Sequence, residues 1–139
     1  MRRYLALLLT ALCLACCSWF GGKSNLLAPF SGSEEAALQK AAIAEPDARL
    51  CGLATSDNLI RMMAKGRSAV VNFDGRARPL TMSADDGTAG TTYAGGGIEI
   101  SLSFVGDLLD KSGHVIGHKA GVMVRTHSGA EHFYGLWDC

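Results

Sequence analysis

The chain has 139 residues, with 13 Lys and Arg set against 13 Asp and Glu, so its formal net charge is zero. That length suits a single domain, and the charge balance excludes the basic face that a nucleic-acid binder needs. Seventeen glycines with only 3 prolines exclude a collagen-like repeat, and 48% hydrophobic against 19% charged residues exclude a disordered chain.

Met1-Arg2-Arg3 is a basic head, and residues 4–17 form an apolar run broken only by Thr10. As a helix this run would be about 21 Å long at 1.5 Å per residue, short of the roughly 20 residues that span a bilayer core. Residues 1–16 therefore read as an export signal. Its end, Leu14-Ala15-Cys16-Cys17, resembles the bacterial lipobox, in which a cysteine becomes acylated and N-terminal. Two registers fit. Cys17 has Leu14 in the aliphatic place but Cys16 where a small residue is usual. Cys16 has Ala15 before it but Cys13 in the aliphatic place. Cysteine parity favours Cys17, because Cys51 and Cys139 then remain as one even pair. Neither register places an Asp after the acylated cysteine. The resemblance thus implies an outer-membrane anchor of several acyl chains, with the domain facing the periplasm or the surface. Plain secretion is the alternative.

Removing residues 1–16 leaves 11 basic and 13 acidic residues, a net of −2. Export places Cys51 and Cys139 in an oxidising compartment, where a disulfide is expected.

Residues 17–32 are rich in Gly and Ser and read as a flexible tether, although Trp19, Phe20, Leu26, Leu27 and Phe30 would also let it pack on the domain. Ser33 can cap a helix, Glu34 and Glu35 suit its first turn, and Ala37, Leu38, Ala41 and Ala42 follow at helical spacing, so a short helix is expected over residues 33–46, ended by Pro46. An antiparallel β domain is expected over residues 51–139. Leu59 to Met63 reads as a helical turn or a strand. Ala69, Val71 and Phe73 alternate before an Asp74-Gly75 hairpin turn, and Pro79 points to an edge position. Residues 83–97, with five glycines, read as a loop. Ile98, Ile100, Leu102 and Phe104 alternate with Glu99, Ser101 and Ser103 as the clearest strand. Val122 to Thr126 and Phe133 to Trp137 supply two more, with a tight turn at Ser128-Gly129 between them. About six strands after residue 68, joined by short turns, imply a mainly β fold. The expected form is a small antiparallel barrel or meander closed by the terminal disulfide.

The chemistry-bearing residues form no catalytic constellation, so the chain reads as a non-enzyme. His114 and His118 on one strand would stand about 13 Å apart and would share a metal only if Gly117 bent the chain. His127 and His132 flank a turn. Exposed histidines are expected, with no metal and no cofactor. No strained G-x-S-x-G elbow or phosphate loop is present.

The Cys frame, the segment Gly90, Tyr93, Gly96 and the Val71-x-Phe73 strand together resemble the membrane-bound inhibitors of C-type lysozyme. The resemblance covers roughly residues 51–139. It implies an eight-stranded antiparallel barrel with Cys51 bonded to Cys139, and a partner-binding loop of Thr88, Ala89, Gly90, Thr91, Tyr93 and Gly96 within residues 84–97. It implies a protein partner, C-type lysozyme, entered by that loop. The chain departs from the pattern at three places: Ala89 stands where the family has Ser, Ser101 where it has Trp, and Ser103 where it has Lys. Binding of another envelope protein or ligand, without lysozyme inhibition, is the alternative function.

Overall fold

The computed structural model describes residues 24–30 and 45–139. The expected export signal, Cys16, Cys17 and residues 33–44 of the expected helix lie outside the described residues; Glu45 and Pro46, its last two positions, are not helical.

Nine strands are present: β1 (Leu27–Ala28), β2 (Leu50–Ala54), β3 (Ile60–Lys65), β4 (Ser68–Phe73), β5 (Arg76–Asp85), β6 (Gly90–Gly95), β7 (Ile98–Leu109), β8 (Val115–Thr126) and β9 (Gly129–Asp138). β2 to β9 close on themselves as an eight-stranded antiparallel barrel, with β4 pairing β5 at one junction and β2 pairing β9 at the other. The alternation in the sequence is the cause. Ile98, Ile100 and Leu102 of β7, Ala120, Val122 and Val124 of β8, and Phe133 and Trp137 of β9 all turn inward to one core. Cys51 and Cys139 are bonded across 88 positions. The bond stands beside the β2–β9 junction, which has only three residue pairs, from Gly52↔Asp138 to Ala54↔Leu136.

The expected loop over residues 83–97 is mostly strand. β5 runs to Asp85, a single 3-10 turn holds Gly87–Ala89, and β6 follows at once. Two of its glycines serve close packing rather than slack: a Cβ on Gly90 would stand 2.0 Å from the Leu102 carbonyl oxygen, and one on Gly95 would stand 2.8 Å from that of Pro79. The tight turn before β9 falls one residue earlier than expected, at His127–Ser128. Pro79 does lie where β5 is paired on one side, beyond its last β6 partner, Thr81↔Ala94. β7 and β8 extend well past the expected strands, so residues 107–120 are a long hairpin.

The tether reading fails for its described half. Residues 24–30 enter one end of the barrel, which we call the strap end, where β1 pairs with the last residues of β4. Leu27 is wholly buried there. The Glu131 carboxylate, across 107 positions, accepts from the Ser24 hydroxyl at 2.9 Å and from the Asn25 and Leu26 amides. Phe30 donates to the Ile60 carbonyl at 3.0 Å. The β domain therefore begins at this strap and not at residue 51.

Candidate functional site

The opposite end, the mouth, carries the turns at 66–67, 86–89 and 110–114. It also carries the disulfide and most of the sequence expected to bind a partner. The structure divides that expected set in three. Thr88 and Ala89 are exposed on the 86–89 turn. Gly90 and Thr91 are buried at the start of β6, and Tyr93 is 3% exposed within the core. Gly96 lies in the β6–β7 turn at the strap end, away from the others. Tyr93 thus holds the wall and does not project. Its hydroxyl donates to the Gly66 carbonyl at 3.2 Å. Burial pushes the phenol above its ordinary ionisation range, helped by the fields of Asp85 and Glu45.

What projects is a compact tip from Asp85 to Gly90. The Asp86 amide donates to the Gly90 carbonyl at 3.0 Å, and the Ala89 amide to the Asp86 carbonyl at 3.2 Å. The Asp85 carboxylate accepts from the Gly87 amide at 2.9 Å, and the Thr91 hydroxyl donates to the Ala84 carbonyl at 3.1 Å. Gly90 opposes Ser103 on β7, so the two family positions occupied here by Ala89 and Ser103 come close together beside the tip. The side chains they present are a methyl and a hydroxyl. Gly90 itself is structural. Gly90→Ala is expected to lower stability by about 2 kcal/mol through overpacking on the Leu102 carbonyl, read as a lower denaturation midpoint.

The histidines do not converge. His118 Nδ1 lies 2.9 Å from an Asp107 oxygen, and its ring stacks on Phe104 with centroids 4.8 Å apart. His114 is paired with Asp110 in the β7–β8 turn, and His132 stands edge-on to Tyr134. His127 is in the strap-end turn. Among the described residues no three His, Cys, Asp or Glu side chains gather as a metal site. Asp110 is held below the usual carboxylate range, chiefly by the His114 amide and also by the Ser112 amide.

Three features escaped the sequence reading. A cavity of about 290 Å³ opens at the mouth between Tyr93, Phe104, Trp137 and Met82, with Arg49 and Asp85 at its lining. An outer groove of about 450 Å³ runs between the 54–58 turn and the exposed faces of Val105, Lys119, Tyr134 and Leu136. At the strap end, buried Arg61 binds the Leu27 carbonyl at 2.8 Å, the Thr55 hydroxyl at 3.1 Å and the Asp57 carboxylate at 2.6 Å. Only the outward alternation of Tyr134 and Leu136 on β9 offered a local sign of any of these. No protein-family model, curated protein or solved structure matches the chain.

Proposed function

We propose that the chain is an envelope-anchored, non-catalytic protein-binding domain. In this reading it inhibits a cationic wall-degrading hydrolase of the C-type lysozyme kind by seating the Asp85–Gly90 tip in the substrate groove. The observation that carries this reading is the tip itself: exposed from Asp85 to Ala89, bonded to itself through three short-range hydrogen bonds with a fourth across its base, and bearing the Asp85 and Asp86 carboxylates. A loop already ordered loses little conformational freedom on docking, and paired acids steer a basic partner. Lipid attachment at Cys17 or Cys16 would hold the protein on the outer membrane. The strap enters the barrel opposite the tip, so the tip would be carried on the end remote from the anchor's attachment.

Soluble chain beginning at Ser18 is expected to slow wall lysis by a C-type lysozyme at micromolar concentration or below. Ala89→Arg, which adds bulk and positive charge to the tip, is expected to weaken that inhibition about a hundredfold, comparable to the loss of an interface hot spot of roughly 2–3 kcal/mol. Failure to slow any C-type lysozyme at micromolar concentration sinks the reading.

One observation favours a second reading, docking on another envelope protein. Val105, Tyr134 and Leu136 are exposed beside the outer groove rather than at the tip. Co-purification of an envelope protein that is lost in Tyr134→Ala, but kept in Ala89→Arg, would favour it.

A further inference from the structure

The mouth cavity is a cup open to solvent, and Leu27 is wholly buried toward the other end of the barrel. Its volume, about 290 Å³, lies at the small end of the range for ligand sites. Two properties decide what it fits. Its walls are aromatic: Tyr93 and Trp137 are almost wholly buried and Phe104 is half-buried, with Met82 and Cys51 beside them. The acidic groups whose charges reach the Tyr93 hydroxyl are Asp85 and Glu45. Two arginines lie near. Arg67 turns its guanidinium to the Met82 carbonyl at 3.3 Å, and Arg49 is exposed at the rim.

Aromatic faces attract a cation. A lysine or arginine side chain also brings an apolar stem suited to Met82 and the rings. We infer that the cup receives a lysine or arginine side chain of the partner, beside the tip that docks on it. The partner's identity rests on the function proposed above. The cup's preference for a cation is a separate property and is tested without that partner.

The test uses the processed chain, ¹⁵N-labelled and held in detergent micelles, titrated with three probes: acetyl-arginine amide, acetyl-lysine amide and the neutral acetyl-norleucine amide. Saturable shifts of the Trp137 indole N–H and the Thr91 and Tyr93 amides are expected with the two cationic probes, and affinity at least fivefold lower with the neutral one. Asp85→Asn should weaken cation binding at least fivefold. Phe104→Leu, which keeps an apolar side chain where a ring is lost, should do the same. Equal binding of all three probes, or cation-induced shifts confined to exposed carboxylates away from the mouth, overturns the inference. Mouth binding by a chain that inhibits no lysozyme would leave the cup standing and remove the proposed partner. Inhibition with a silent mouth would do the reverse.

Discussion

Replacing Cys51 and Cys139 with Ser is expected to destabilise the domain by about 3–4 kcal/mol. The bond closes a loop spanning 88 positions. A loop of that order restricts the unfolded chain by an amount worth up to about 4.7 kcal/mol, and removal of a native disulfide from a small secreted domain commonly costs about 2–5 kcal/mol. The native state adds a reason specific to this barrel. β7 and β8 share a long ladder, whereas β2 and β9 meet through three residue pairs. The disulfide stands beside that short junction and keeps it shut. Denaturant unfolding with and without reductant measures the loss. Hydrogen exchange should show the amides of Gly52 to Ala54 and Leu136 to Asp138 opening first. An unchanged midpoint, or protection lost uniformly around the barrel, would contradict this account.

Arg61→Ala is expected to cost about 2–3 kcal/mol and to release the strap. The guanidinium is buried and serves three acceptors at once: the Leu27 carbonyl, the Thr55 hydroxyl and the Asp57 carboxylate. Removing one partner of a buried ionic group leaves the others unsatisfied; the usual cost of about 3–5 kcal/mol is reduced here because Asp57 keeps contact with water. Asp57 supplies a pH signature. The Thr55 hydroxyl, the Leu59 amide and Arg61 together lower its pKa from 3.8 to about 2. A carboxylate depressed on folding adds stability that is fully present above its unfolded value and is lost as pH falls through its folded value. The wild-type chain should therefore lose stability between about pH 4 and pH 2, and Arg61→Ala should make that part of the profile shallower while Thr55 and Leu59 keep the rest of the slope. Protease susceptibility near residues 24–30 gives the second readout. A variant with an unchanged acid limb and a protected strap would show that Arg61 does not hold it.

The parts of the barrel legible in the sequence are those whose cause is local. β7 could be read because Ile98, Ile100 and Leu102 alternate with Glu99 and Ser101, and one face of a strand must be buried. The Asp74-Gly75 turn could be read because both residues take positive φ, 54° and 71°, as Asp and Gly do most readily. The disulfide could be read because an expected export signal leaves two cysteines, Cys51 and Cys139, in the body of the chain. What was not legible depends on partners far away in sequence. Gly90 and Gly95 looked like loop residues, yet each is small because another strand's backbone passes against it. Leu26, Leu27 and Phe30 left open whether the tether packs on the domain. That this segment closes the barrel depends on a carboxylate on β9 and a guanidinium on β3. The mouth joins side chains from β5, β6, β7 and β9, and no single stretch announces it. Tyr93 shows the limit of motif reading. Its position in a family-like pattern suggested a contact residue, whereas its burial makes it the support on which the tip stands.

The order in which the chain would yield to tension follows from where the strap enters. Residues 51–139 form one covalent ring through the disulfide, and the strap lies outside that ring. A pull from the N-terminal side loads the strap's bonds to Glu131 and the seat of Leu27 before it strips any strand from the barrel wall. β1 is held by two residue pairs, so it would peel one contact at a time rather than shear as a block. Up to 27 residues, from Ser24 to Leu50, could then pay out before the load met the crosslink at Cys51, at most about 95 Å of extended chain. The strap would act as a mechanical fuse: it gives length under force while the ring that bears the tip stays closed.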